Sequence, residues 1–337
     1  MGLTEAERLA KVKKRTDTQM NLIKVALVGC GRVSKRHIEA IHAVDGIDIA
    51  VVCDIDENKA KSVSEQLSVP YVTDYKSLKD VDVVSVMTPS GMHPHHVIEL
   101  AEHTNIPYIV CEKPISLTQR EVYEMYYRVE KAEKVLLPVY QNRYNPLIAF
   151  LKNLIDTGKL GMIHQFVCNI FWNRNDEYFK IDWHGTKAYD GGVFYTQASH
   201  YVDMIHSLFG KIKNAYGVGG DMRKFEVHDS VSAICEMQNG TIGALNATVS
   251  VYRTNYLTEL TVIGEKGTVR LSGTNLNRID FWDVDGMEKP DMDFTIDHQY
   301  GKGHDTMYEY IVQKKWEMFP SQEDVLSGIQ LMERISF

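Results

Sequence analysis

Through the first 140 residues, short apolar runs alternate with longer segments of helical period. The runs are Lys24 to Val28, Ile47 to Cys53, Val81 to Met87, Tyr108 to Cys111 and Val135 to Val139. Apolar strands separated by helical stretches predict a parallel sheet with crossover helices on its faces. Beyond about residue 141 the period changes. After one helix-like stretch, Leu147 to Ile155, apolar side chains recur at every second position: Phe166, Cys168, Ile170, Trp172, and again Val231, Ala233, Cys235, Met237. Turn signals at Asn239-Gly240 and Gly264-Glu265-Lys266-Gly267 separate Ser230 to Met237, Thr241 to Val251, Leu257 to Ile263 and Thr268 to Leu271. This pattern predicts an antiparallel meander with one face wet or against another subunit. His304 to Met318 and Glu323 to Ile335 read as two closing helices. The expected fold is therefore α/β, divided at residues 20–141, 142–303 and 304–337.

Composition narrows the class. A chain of 337 residues exceeds one ordinary core, so two main domains are expected. The net charge of -8 argues against a nucleic-acid footprint, and any anionic ligand must be met by local cations. No apolar run approaches the roughly 18–20 residues a membrane helix needs, and the amino terminus lacks a signal-peptide core. A cytoplasmic location is expected, with no membrane partner. Cys30, Cys53, Cys111, Cys168 and Cys235 are odd in number, widely spaced and set in apolar runs, which predicts reduced core thiols and no metal centre. Residues 1–19 are highly charged and read as a weak helix, a native extension or a remnant added for expression.

In an open parallel sheet ligands bind beyond the carboxyl ends of the strands, so those positions carry the candidate chemistry. The first run ends in Gly29-Cys30-Gly31-Arg32-Val33-Ser34. Gly29 suits a tight turn, Gly31 allows close approach to a pyrophosphate, and the next helix aims its amides there. Ser34 stands where a glycine or alanine is usual. A plain strand–helix turn also fits this hexapeptide. The second run ends in Asp54, 23 residues past Gly31, where an acid can grip ribose hydroxyls and repel a 2'-phosphate, favouring NAD; Asp54 could instead cap the next helix with Asp56. The third run gives Thr88-Pro89-Ser90-Gly91-Met92-His93, hydroxyls and backbone suited to ribose and phosphate. His93, His95 and His96 read as a helix-start cluster rather than a metal site. The fourth run ends in Cys111-Glu112-Lys113-Pro114, placing a lysine at the sheet edge where it can hydrogen-bond a reacting hydroxyl.

In this order and spacing, GCGRVS, Asp54, TPSGMHP and EKP resemble the superfamily of glucose-fructose oxidoreductase and inositol dehydrogenase, over residues 22 to 335. The resemblance implies an NAD-binding Rossmann domain followed by an α/β domain with an open-faced sheet, and Gly29, Gly31, Arg32, Val33, Asp54, Thr88, Ser90, His93, Glu112, Lys113 and Gln141 as the cofactor set. The family's base lies in a segment that here reads from Asp190 to Asp203, with Gly191-Gly192 expected to let backbone approach a ligand, His200 on the following helix and Asp203 one turn on, placed to orient the imidazole. A capped core histidine is the alternative reading of His200. Inositol dehydrogenases carry aspartate where this chain has Thr196, a departure that argues against a polyol enzyme with the full Lys-Asp-His arrangement.

QNRYNP, FWNRNDEYF, DGGVFYTQASHYVDM and YGKGH (Tyr300 to His304) are similar to UDP-N-acetylglucosaminuronate 3-dehydrogenases, which make 3-keto nucleotide sugars for surface polysaccharides such as O-antigen. In that subgroup an arginine occupies the position of His184. The resemblance implies a further helix and strand beyond Phe337. The resemblance implies a UDP-sugar substrate met by Lys113, Asn142, Arg143, Arg174, Tyr178, Thr196, Gln197, His200 and His304, with Lys113 and His200 catalytic. Arginine forks suit both the diphosphate and the carboxylate of such a substrate. It further implies dimers or tetramers through the open sheet. A dehydrogenase of a free polyol or aldose and a cofactor-sensing regulator without turnover are the two rival readings.

Overall fold

The computed structural model describes residues 22–292 and 303–336. The charged leader and Tyr300 to Lys302 of the YGKGH string lie outside the described residues.

The first half folds as a six-stranded parallel sheet of order β3-β2-β1-β4-β5-β6. Its strands are β1 (Ile23–Val28), β2 (Ile47–Cys53), β3 (Tyr71–Val72), β4 (Val83–Val86), β5 (Tyr108–Cys111) and β6 (Val135–Pro138). Four helices cross between them: α1 (Ser34–Ala43), α2 (Glu57–Leu67), α3 (His93–His103) and α4 (Gln119–Lys131). Local chemistry sets the helix starts. Asp56 accepts from the amides of Asn58 and Lys59 at the head of α2, and Thr118 accepts from Glu121 N at the head of α4. Asp56, not Asp54, is thus the cap of α2. Helices cover both faces, so Val25 to Val28 and Val83 to Val86 are buried along their whole length, which explains their unbroken apolar runs.

The second half forms a seven-stranded sheet of order β13-β12-β11-β7-β10-β9-β8. It comprises β7 (Ile163–Phe171), β8 (Ile212–Gly220), β9 (Ser230–Met237), β10 (Ile242–Thr248), β11 (Leu257–Gly264), β12 (Gly267–Ser272) and β13 (Arg278–Val284). The meander expected from turn signals is interrupted: β7 inserts between β10 and β11 and runs parallel to β10. One face is sealed by α5 (Pro146–Asp156), α7 (Ser199–Phe209) and α9 (Gln322–Ser336), with a short helix α6 (Asp176–Phe179) at the end of β7. Phe166, Cys168 and Ile170 of β7 are fully buried beneath them. The opposite face is open to solvent, with Tyr216, Val218, Ile234 and Ile242 all at least half exposed.

Helix α8 (Gly303–Val312) returns to the first sheet, packing against α1, and Trp316 beyond it stacks on Tyr108 of β5. No helix among the described residues is long and apolar enough to cross a membrane.

Candidate active site

The site begins at the carboxyl end of β1. Gly29 turns the chain at φ +101°, and a Cβ there would stand 2.7 Å from the Met87 carbonyl oxygen, so only glycine fits. Gly31 has nothing within 4 Å of where a Cβ would lie, leaving open room above the turn. Ser34 is buried and donates its hydroxyl to Gly31 O at 2.6 Å, which explains why a small polar residue serves in place of a third glycine. Arg32 and Val33 lead into α1, whose first turn has no side-chain cap. Open space beside an uncapped helix start fits a dinucleotide pyrophosphate. Asp54 closes the turn from β2: one carboxylate oxygen accepts from Cys30 N at 2.8 Å and the other from Asp56 N at 2.9 Å. It is therefore pinned beside the glycine turn, where an adenosine ribose would lie.

The next loop is strapped down by histidines. Both ring nitrogens of His93 lie 2.8 Å from carbonyl oxygens, those of Pro114 and Thr88, and the Thr88 hydroxyl meets His96 Nδ1 at 2.8 Å. His93 is fully buried and its polar atoms are taken, so it shapes the loops rather than facing open space. Ser90 is buried at the start of a tight turn, and Gly91 N donates to Tyr189 O at 3.0 Å across the cleft.

Glu112 and Lys113 follow β5. Lys113 Nζ donates to the Thr196 carbonyl at 2.7 Å, reaching from the first sheet to the second domain. Burial lowers its pKa to about 8, with Arg36, Arg174 and Arg32 acting in the same direction and Glu112 against them. Glu112 accepts from Lys113 N at 3.0 Å and lies 2.9 Å from His37 Nε2 and 3.3 Å from His304 Nε2. Burial pushes the Glu112 carboxyl up, but the bonds and charges of His304 and His37 outweigh it and hold it well below the usual carboxylate range.

Thr196 sits in a π-helical turn, Phe194–Ala198, immediately before α7, a widened turn often found at functional sites. His200 lies in the first turn of α7. Its Nε2 is 2.9 Å from the side-chain nitrogen of Gln141, and Tyr140 meets the ring edge-on. Burial, followed by the Lys113 charge, holds the imidazole well below its ordinary pKa, so it is neutral at pH 7. His200 Nδ1 and Gln141 Oε1 are buried without a protein partner, two orphaned polar atoms of the kind a bound molecule satisfies. Beside them Arg174 donates to Gln197 Oε1 at 2.8 Å, Gln197 donates to the Tyr178 hydroxyl at 3.1 Å, and Arg32 crosses from the glycine turn to lie 5.1 Å over the Tyr178 ring. Asn142 bonds the Tyr201 hydroxyl.

Three expectations change. Asp203 does not orient His200; both its oxygens accept from Arg143 at 2.7 Å. Arg143 reaches Asp324 as well, so its fork is committed inside the protein rather than open to a substrate anion. Gly191 and Gly192 pack against protein: a Cβ on the first would meet Leu117 and Tyr195, and on the second the His228 carbonyl. His184, where the similar subgroup has arginine, is buried between Trp183 and Tyr178, with its Nδ1 3.3 Å from Asp190.

Sequence reasoning missed His37, Arg36, Tyr308 and Ser85. The one available signal was a histidine on the apolar stripe of α1, beside Ile38 and Ile41.

Comparison with known proteins agrees with this geometry. A family model described as an oxidoreductase family with an NAD-binding Rossmann fold matches residues 23–140, and a GFO/IDH/MocA C-terminal domain matches residues 148–270. The solved WlbA dehydrogenase from Bordetella pertussis, in complex with NADH and UDP-GlcNAcA, is 30% identical, with a TM-score of 0.85 over 93% of this chain and 94% of that one. The WlbA dehydrogenase from Chromobacterium violaceum, holding the same two molecules, is 31% identical, with a TM-score of 0.83 over 95% and 97%. Myo-inositol 2-dehydrogenase from Thermotoga maritima is 23% identical across 73% of this chain and 74% of its own. With its glycine turn, its parallel strand order and a lysine that reaches across the cleft to the Thr196 carbonyl, the chain belongs to the GFO/IDH/MocA family of NAD-dependent oxidoreductases.

Proposed function

We propose that this dehydrogenase oxidises the 3-hydroxyl of a UDP-N-acetylated hexuronic acid, UDP-N-acetylglucosaminuronate, to a 3-keto nucleotide sugar of the kind used in surface polysaccharides. The observation that carries the reading is the Lys113–Thr196 bond, which brings the lysine of the first domain to the turn immediately before His200. The two similar structures at 30% and 31% identity, each holding NADH and UDP-GlcNAcA, support a nucleotide-sugar substrate.

In this reading His200 takes the hydroxyl proton. Its buried, neutral ring has a lone pair at Nε2 facing the Gln141 amide, so a substrate hydroxyl would displace or share that contact. Lys113, an ammonium at pH 7, hydrogen-bonds the same oxygen and steadies the charge that develops on it. Bound NAD supplies the hydride-accepting chemistry. Gly29, Gly31, Arg32, Val33, Asp54, Thr88, Ser90 and Gln141 would hold the cofactor, with His93 and Glu112 positioning its loops. Arg174, Tyr178, Thr196, Gln197 and Asn142 would hold the sugar nucleotide; His304, expected among them, is instead buried with its Nε2 3.3 Å from Glu112, because α8 packs it against the first domain.

Residues 20–141 then bind the dinucleotide, 142–303 bind the substrate, and 304–337 pack back on the body. The exposed apolar side chains on the open sheet face support pairing of copies into dimers or tetramers. We place the enzyme in the cytoplasm, where nucleotide sugars are made.

The test is incubation of the purified protein with UDP-N-acetylglucosaminuronate and NAD, following absorbance and product mass. A 3-keto nucleotide sugar supports the reading. Turnover of inositol or a free aldose, with none of the nucleotide sugar, assigns a polyol enzyme instead; binding without product even in a single turnover assigns a sensor.

A further inference from the structure

Behind Lys113 a buried chain of hydrogen bonds runs through four elements. The Ser85 hydroxyl of β4 lies 2.9 Å from the Tyr308 hydroxyl of α8, which lies 2.7 Å from His37 Nδ1 of α1. His37 Nε2 reaches Glu112 Oε1 at 2.9 Å, and His304 Nε2 of α8 reaches the same oxygen at 3.3 Å. The second carboxylate oxygen takes the Lys113 amide at 3.0 Å. Ser85, His37, Glu112, His304 and Tyr308 are all under a tenth exposed. A carboxylate buried this deeply is strongly disfavoured unless it is hydrogen-bonded, and here His37, His304 and the Lys113 amide supply three partners.

We propose that Glu112, held ionised by His37 and His304, is a positioning residue that keeps the Lys113 ammonium protonated at the reacting oxygen. The inference deepens the dehydrogenase reading and rests on it for the role of Lys113. The charged groups around Lys113 explain the need. Arg36 from α1, Arg32 from the glycine turn and Arg174 beyond β7 all press it towards the neutral amine, and Glu112 is the anion among these that opposes them. His200 of α7 feels the same lysine charge. Around Glu112 itself stand His37, His304 and, more distantly, His93 of α3, with the Cys111 thiol beside it on β5. Helix α8 thereby acquires a task in the first domain: it delivers His304 and Tyr308 to the chain that fixes Glu112.

The experiment reads Lys113 directly, in the purified protein without NAD or sugar. Competitive acetylation is followed by mass spectrometry of the Lys113 peptide across pH, since only the neutral amine reacts. Wild type is expected to give a midpoint near 8. Glu112→Gln is expected to lower that midpoint by about one pH unit or more, the scale of a lost opposite charge at close range. Glu112→Asp, which keeps the charge, is expected to stay within about half a unit of wild type on the same scale. An unchanged midpoint in E112Q overturns the proposal. Where E112Q does not fold, isotope-edited infrared spectra of the wild-type glutamates decide: the buried carboxyl is expected to remain ionised at pH 7, and a band from a protonated buried glutamic acid overturns the proposal. Because no substrate is used, a midpoint that shifts as expected stands even if UDP-N-acetylglucosaminuronate is not turned over, and the two failures are distinguishable.

Discussion

Lys113 Nζ lies 2.7 Å from the carbonyl oxygen of Thr196, so a side chain from the end of a parallel strand is bonded to the backbone one turn before His200. The bond crosses from the NAD-binding half to the sheet-and-helix half. It carries a direct prediction: on the proposed reaction Lys113→Met removes the group that would steady the alkoxide, lowering kcat by about 10²–10⁴-fold while leaving NAD affinity within a few-fold. Stopped-flow absorbance and a fluorescence titration with NADH measure the two quantities separately. Equal loss of both would make the lysine a cofactor ligand only.

The pH profile follows from the same pair. In the proposed reaction His200 must be neutral to accept a proton, and its pKa is pushed well below 6.5, so activity is expected to persist as pH falls below the ordinary histidine range. Lys113 must be protonated, and its pKa is about 8, so the rate declines as pH rises through that value. The expected kcat/KM profile has an alkaline limb near 8 and no limb between 6 and 7. A limb in that interval would mean that His200 titrates as an exposed histidine.

Stability has its own pH signature. His96 is depressed to about 4, mainly by burial, so between about 4 and 6.5 the unfolded chain binds a proton that the folded chain does not. Stability from this group therefore rises with pH across that window and is lost as pH falls through it. Urea melts at pH 4.5 and 7 are expected to differ less in His96→Gln than in wild type, although the variant also gives up the bond to Thr88. An equal difference in both proteins would assign the acid sensitivity elsewhere.

Arg143→Met separates architecture from binding. The substitution leaves Asp203, 4% exposed, without its partner, and the loss of one member of such a pair costs about 3–5 kcal/mol. The melting temperature is expected to fall while KM for the nucleotide sugar in the remaining folded protein changes less than about three-fold. A large KM effect at unchanged stability would restore Arg143 as a substrate ligand.

Much of the frame was legible in the residues. The five apolar runs of the first half became the five main strands, and the glycine turn, Asp54 and Lys113 stand at the carboxyl edge as expected. What escaped has physical reasons. Strand β8 reads Ile-Lys-Asn-Ala-Tyr-Gly-Val-Gly-Gly, an edge strand with three glycines and an exposed surface, so it lacks the alternation that marks β9. β3 is two residues long, and β13 mixes charge into both faces. The parallel β7–β10 pairing depends on contacts between segments more than 70 residues apart, which turn signals cannot encode. At the site, helical spacing put Asp203 near His200 but said nothing about Arg143, which arrives from 60 residues upstream and claims both oxygens. His37 went unread for the same reason: its meaning comes from Glu112 and Tyr308, supplied by distant elements.

Asp54→Ala is expected to weaken NAD binding by about 10–100-fold, the range for losing hydrogen bonds to a charged group, and to narrow the gap between NAD and NADP. Part of the effect comes from the glycine turn, which loses its anchor at Cys30 N. Dissociation constants for both dinucleotides check this, and an unchanged ratio would detach Asp54 from the ribose.

The proposed reaction turns on a shared oxygen, and a crystal structure of the enzyme with NAD and UDP-N-acetylglucosaminuronate measures it. Lys113 Nζ and one imidazole nitrogen of His200 are expected within hydrogen-bond distance of the sugar's 3-oxygen, with C3 facing the nicotinamide. A sugar seated with either nitrogen directed away from that oxygen, the domains being closed, would contradict it.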